Sequence, residues 1–416
     1  MAERHLPVRP DLEQLRHQAK DLLRAVRRAD PSALAEMVEH HPGALDPGQA
    51  KLADAQLALA RSYGLPSWTR LALACRMTDA IWRDDAEAVR ELVTRHPRLL
   101  HENARGVEPC NWGPPMSFAA NLGRQRIVAL LRGLGAGDLQ PAFARACLQG
   151  RIDTARQLYA LGARPAPDAV MGPAETLSAT GLALLLELGA AIRDGDGNRL
   201  APVALVLETY ARDPQGKHRC LELFAAHGIE LPDSAPMAVH RGRIDRLEEH
   251  LRRDPELLRR TFSHAEIYPP ELGCHADESL ALHGTSLAGT TLLHQCVDFD
   301  ELELARWLVQ RGADVNARAA VDAEGLGGHT PIFGCVVSQA FRVGQRRDES
   351  FARFLLDHGA DPSPRASLRK RLRFVADEAL HEYRDVTPLT WGERFHDRDW
   401  VSPPVMRLIA ARGGHA

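Results

Sequence analysis

Residues 289–318, GTTLLHQCVDFDELELARWLVQRGADVNAR, constrain the fold more than any other part of the chain. Thr291 is placed to open a helix, because its hydroxyl can accept the free amide protons of a first turn. Leu292, Leu293, Cys296 and Val297 then recur at helical spacing and give one apolar face. After a break at Asp300, Leu302, Leu304, Ala305, Leu308 and Val309 form the stripe of a second helix. Gly312 ends it where a left-handed residue costs least, and Ala-Asp-Val-Asn runs on as an extended turn. A unit of this kind has one apolar side and is too small to bury that side alone. It must stack on copies of itself.

The pattern TxLLH followed by LARWLVQRGADVNAR resembles the ankyrin repeat, with its Thr-Pro-Leu-His opening and Gly-Ala-Asp-Val-Asn close. Imperfect copies at a period of roughly 33 residues can be laid along the chain from residue 71 onwards. GPPMSFAANLGRQRIVALLRGLGAGD and PAFARACLQGRIDTARQLYALGAR are clear ones, GGHTPIFGCVV to FARFLLDHGADPS is split in the middle, and VTPLTWGERF to RLIAARGG ends the array. The expected fold is an all-α ankyrin-repeat solenoid of about nine helix–turn–helix units with an N-terminal helical cap.

Residues 1–70 do not fit the repeat. Leu12, Leu15, Ala19, Leu22 and Leu23 make a helical stripe, and Asp30-Pro31 reads as an N-cap and first helical position. The segment is similar to the helical leader of many bacterial ankyrin proteins. It is expected to cover the apolar face of the first repeat, with an independent partner-binding helix bundle as the alternative. The expected domains are this cap (1–70), degenerate repeats (71–260), a polar insert (261–288) and C-terminal repeats with inserts (289–416).

Charge and composition narrow the function classes. A net charge of −3 gives no whole-chain reason to expect nucleic acid. Met1–Pro10 holds no apolar run, so a secretory signal is not expected, and no stretch is apolar for long enough to cross a bilayer. The expected setting is cytoplasmic, with no membrane or nucleic-acid partner. An aromatic share of 5% suits Leu/Ala-rich helix pairs better than a β-sandwich or a large α/β core. The 7 cysteines lack paired CxxC spacing, which favours reduced thiols filling the core over disulfides or a zinc finger.

Three segments interrupt the repeats, at 261–288, 319–327 and 364–386. Each joins a second helix to the next first helix, so all three should leave from one edge and lean over the concave groove of the C-terminal half. The stretched turns at 208–218 and 339–350 belong to the other end and should face away. The first insert holds His264, Glu266, Tyr268, Glu271, Cys274, His275, Asp277, Glu278 and His283. Imidazole, thiolate and carboxylate are metal ligands, but no HExxH, HxH or CxxC pair is present. A polar recognition loop, a metal site and a catalytic role all stay open there. The third insert starts basic and turns acidic. Its Glu378-xx-His381 is half of a di-iron motif that needs two copies, so a solvated helix is expected, with the basic run able to seat a phosphate or an acidic peptide. His381, Tyr383 and Arg384 join the candidate groups.

His294 and His329 fall inside repeat openings, where the resemblance implies hydrogen bonds tying neighbouring units together. The resemblance also implies that the residues before the inter-helix turn line a concave binding face. Those positions include His240, Arg241, Asp298, Phe299, Arg394 and Phe395, among them the anchor types that carry interfaces. No nucleophile elbow, phosphate loop or kinase set is present, and no cofactor is expected. The reading is a non-catalytic scaffold holding a protein or peptide partner in the C-terminal groove. The alternative is a small-molecule or metal pocket, catalytic or not, beneath the three inserts.

Overall fold

The helices pair along the chain as the periodicity requires. The computed structural model describes residues 4–43, 46–107 and 112–415, and the chain divides into two units, 1–165 and 166–416. Cys110 lies outside the described residues.

In the first unit, the helices Leu12–Arg27, Pro31–His40 and Leu52–Ser62 precede three helix pairs. Asp11 caps the first by accepting from the amides of Glu13 and Gln14, and Asp30 caps the second with Pro31 at its first position. Leu6, Leu15 and Leu65 share a buried cluster with Leu71, Ala74 and Cys75 of helix Trp68–Trp82. The pairs Trp68–Trp82 with Ala86–Arg95, Pro115–Asn121 with Gln125–Gly133, and Leu139–Leu148 with Ile152–Ala160 follow.

The second unit holds six further pairs, running from Met171–Glu175 with Ala179–Glu187 to Pro388–Arg394 with Pro403–Ala411. One continuous apolar core runs through it from Val170 to Ile409, which is how small units with one apolar face become stable. The helix opened by Thr291 spans Leu292–Asp298, and its partner spans Leu302–Gln310. Asp300 takes the left-handed turn between them at φ 64°, the place that Gly242 fills at φ 65° one unit earlier, and Gly312 closes the pair at φ 97°. The Thr291 hydroxyl lies 3.0 Å from Nδ1 of His294, and Nε2 of that ring donates to the carbonyl of His329 across 3.2 Å. His329 Nε2 donates in turn to the carbonyl of Ser286. Both rings tie successive units together, and burial disfavours their charged form.

The insert expected as a solvated helix at 364–386 is instead a hairpin. Strand β1, Ala366–Lys370, pairs antiparallel with β2, His381–Val386, with Leu368 opposite Tyr383 and Lys370 opposite His381. The physical reason is a period of two: Ala366, Leu368 and Lys370 are buried while Arg369 is exposed. Glu378 accepts from the amide of Phe374 in the connecting turn, so the half-motif Glu378-xx-His381 never lies on a helix. Ser367 also bridges to Gly327 of the second insert.

Candidate ligand-binding cavity

The positions expected on an open concave face are largely covered. His240 is fully buried, with its Nε2 2.8 Å from the carbonyl of Ile267 and its ring 4.6 Å from that of Phe299. Asp298, Phe299 and Phe395 are also buried. Of this set only Arg241, paired with Glu222 at 2.7 Å, and the exposed Arg394 reach the surface. His240, Asp298 and Phe299 are covered by the first insert together with a turn expected to face away, and Phe395 packs on Tyr383 of the hairpin. Arg212, from the 208–218 turn, is buried and places Nη2 2.9 Å from Oδ2 of Asp298, while it also donates to the carbonyl of Leu282. The other Asp298 oxygen accepts from the amide of Gly284 at 3.2 Å. Beside it, Lys217 lies 3.1 Å from Glu301 and sits over the Phe299 ring. A long turn carrying an arginine thus folds inwards because a carboxylate awaits it.

The first insert is distributed in the same way. Tyr268 is a core residue between His240 and Phe299, and burial pushes its hydroxyl well above the usual range. His264 packs on Tyr268 and bonds the carbonyl of His275. Glu266 caps the short helix that follows Ser263 and pairs with Arg260, and with the exposed Glu271 it borders a separate hollow beside Asp233 and Arg253. On the hairpin, His381 stacks on His396 at 4.1 Å and bonds Asp377, while the Tyr383 hydroxyl lies 2.6 Å from Nδ1 of His396. Arg384 donates to the carbonyl of Glu324 and pairs with Glu382.

Residues of all three inserts border one cavity of about 460 Å³. Asp277, Glu278, His283 and Ser286 come from the first insert, and Ala320, Asp322, Leu326 and Gly327 from the second. Leu368, Lys370, Arg371 and Leu380 come from the hairpin, and His329 completes the wall. Of the first-insert candidates, Asp277, Glu278 and His283 line it, whereas His264, Glu266, Tyr268 and Glu271 do not. The deep wall is formed by donors and the rim by acids: Lys370 and His283 are buried, whereas Asp277 and Asp322 are exposed. Lys370 Nζ lies 3.3 Å from Nδ1 of His283 and 3.3 Å from the carbonyl of Ala281. An ammonium donates to that Nδ1, so the ring proton sits on Nε2, which has no partner among the described residues. Burial holds His283 well below the ordinary imidazole range, and the Lys370 charge pushes the same way. Burial lowers Lys370 to about 8, against the opposing fields of Asp298 and Glu278.

The arrangement can hold a polar or anionic group against a basic floor. Among the described residues no three His, Cys, Asp or Glu side chains gather into a metal-binding set, and no helix is long and apolar enough to cross a membrane. Sequence reasoning missed Arg212, Lys217 and Glu301, and it placed Lys370 in the basic run of the third insert without foreseeing that it is buried. The alternation ASLRK, read with period two, carried the signal for Lys370. The pairing of Arg212 with a residue in a unit two repeats away carried none.

A family comparison agrees with the repeat that Thr291 opens. Residues 288–320 match the family described as Ankyrin repeat. Among solved structures the chain is similar to the human ASB11 ankyrin repeat domain, at 17% identity over 73% of this chain and 99% of that one, with a TM-score of 0.26. No curated protein matches. Residues 288–320 thus match the ankyrin repeat from its opening threonine to its closing Asp-Val-Asn, within helix pairs of the second unit that stack through one core.

Proposed function

We propose that the protein is a non-catalytic interaction scaffold whose second unit holds a protein or peptide partner at the insert-walled cavity. Ankyrin repeats generally serve as protein-interaction scaffolds, and such an array offers a rigid platform on which inserts can be placed. One observation carries the reading. Three inserts, far apart in sequence, meet around a single hollow between residues 277 and 380, whereas the positions that would otherwise form a bare groove are used to pack the core. The exposed Leu380 at its rim is the kind of apolar contact a partner covers. The six described cysteines are buried free thiols, which supports a reducing, cytoplasmic setting.

A second reading is favoured by size alone. A cavity of about 460 Å³ falls in the range that encloses small ligands, so a metabolite could occupy the same place.

The test is a photocrosslinking residue at Leu380, with the same residue at the exposed Val38 of the first unit as control. In the cell of origin, Leu380 should capture a discrete partner protein that Val38 does not. No protein at Leu380, or the same proteins at both positions, overturns the scaffold reading, and capture of none together with a small molecule co-purifying supports the second.

A further inference from the structure

Three cations are buried in the second unit: Arg212, Lys217 and Lys370. Two of them have a carboxylate at ion-pair distance, Asp298 for Arg212 and Glu301 for Lys217. Lys370 has none among the described residues; its contacts are one carbonyl and one imidazole nitrogen, both at 3.3 Å. A buried lysine without a counter-ion is uncommon, because desolvating the charge is costly unless something nearby repays it. The cavity acids are also engaged elsewhere. Asp322 pairs with Arg369 and accepts from the amide of Leu326, and Glu278 accepts from the Ser286 hydroxyl. Arg371, at the same wall, makes no hydrogen bond or ion pair among the described residues.

The backbone adds a second, independent feature. Ser367 exchanges both of its main-chain bonds with Gly327, so its amide and carbonyl point away from β2. In a strand the next residue facing that way is Arg369. Its amide and carbonyl have no backbone partner on that side, since the bridge to the second insert stops at Ser367. The open edge of β1 therefore borders the cavity, next to the unpaired ammonium.

Resting on the cavity reading above, we propose that the occupant is an extended acidic peptide that adds to the free edge of β1 and places a carboxylate on Lys370, within reach of Arg371. Strand addition supplies sequence-independent affinity through main-chain bonds, and the pocket beside the edge selects the side chain. The carboxylate supplies the charge that Lys370 lacks, and Leu368, Leu326 and Leu380 offer apolar contact to its neighbours.

The test titrates a blocked heptapeptide of alternating Val and Glu into the full chain by calorimetry. Its Gln-for-Glu counterpart, versions N-methylated on either alternate set of amides, and inorganic phosphate as competitor form the other arms. The Val/Glu peptide should bind, and the Gln counterpart should bind at least tenfold more weakly. One N-methylated set should abolish binding while the other is tolerated, because only one edge of the peptide faces β1. Lys370→Met and Arg371→Gln should each weaken binding at least tenfold with the helical circular dichroism unchanged. No binding of any peptide, equal binding of the Gln counterpart, tolerance of both N-methylated sets, or displacement by phosphate at the peptide's own affinity each overturns the proposal. If the Leu380 crosslink to a partner persists in those cases, the cavity is a contact surface of different chemistry; if it is lost too, the scaffold reading itself has failed.

Discussion

Arg212 and Asp298 stand 86 residues apart in sequence and 2.9 Å apart in space, with side chains only 3% and 4% exposed. The pair joins a turn of one repeat, the last helical residue of another, and through Gly284 and Leu282 the end of the first insert. Removing one partner of such a buried pair strands the other charge, at a cost of about 3–5 kcal/mol. Asp298→Ala should therefore lower the unfolding free energy of the second unit by about that amount, and the double change to Met at 212 and Ala at 298 should recover part of it. Urea unfolding of the three proteins checks this. A loss under about 1 kcal/mol for Asp298→Ala would mean the pair is not what holds the insert down.

Lys370 gives a prediction of opposite sign. Its folded value of about 8 lies below the ordinary lysine value, which is about 10.4 in an unfolded chain. Between those limits the unfolded chain holds a proton that the folded chain does not, so this group makes stability rise with pH. Below about pH 8 the buried charge is present in full and destabilises the fold, by an amount on the order of 3 kcal/mol. The groups facing it are His283, Glu278, Asp298 and Arg212. Lys370→Met should be more stable than the natural protein at pH 7, with the advantage shrinking from pH 8 towards 10. Urea midpoints of both proteins at three pH values measure it, and no gain at pH 7 contradicts the assignment.

Much of this architecture was legible in the sequence because repeats are local. The apolar stripes of 292–297 and 302–309 are set by helical spacing within a few turns, and Gly312 marks its own turn. His294 and His329 were legible for the same reason, since their partners lie in adjacent units. The covered groove was not legible. Whether Phe299 faces solvent or core depends on what Arg212, Lys217 and the 261–288 segment do above it, and those contacts are far apart in sequence. The hairpin at 366–386 was misread because its charges look like a solvated helix, whereas the buried Lys370 breaks the rule that lysines stay outside.

The imidazole ties between repeats make the second unit sensitive to acid. Burial lowers His294 to about 3 and His329 to about 4, against about 6.5 in an unfolded chain. Both groups are depressed in the fold, so their contribution is present above about pH 6.5 and is lost as pH falls towards those folded values. Each should remove about 1.4 kcal/mol per pH unit across the window. His329→Gln, which keeps a donor near the Ser286 carbonyl, should be less stable at pH 7 but lose stability more slowly between pH 6 and 4.5. Denaturant midpoints at those pH values follow the slope, and identical slopes for the two proteins would contradict neutral burial of the ring.

Two glycines in left-handed turns separate backbone strain from packing. Gly312 has φ 97° and nothing within 4 Å of an added Cβ, so Gly312→Ala meets only the conformational penalty, about 1–2 kcal/mol. Gly242 has φ 65°, and a Cβ there would stand 2.3 Å from the ring of His218. That ring holds Glu301 at 2.8 Å, and Glu301 is the counter-ion of the buried Lys217. Gly242→Ala must therefore displace His218 and loosen the carboxylate on which Lys217 depends, adding a charge-burial cost to the same backbone penalty. It should destabilise the second unit by at least about 2 kcal/mol more than Gly312→Ala does. Paired thermal and urea melts rank the two, and equal losses would show that His218 moves freely and that the Glu301 contacts are not coupled to the turn.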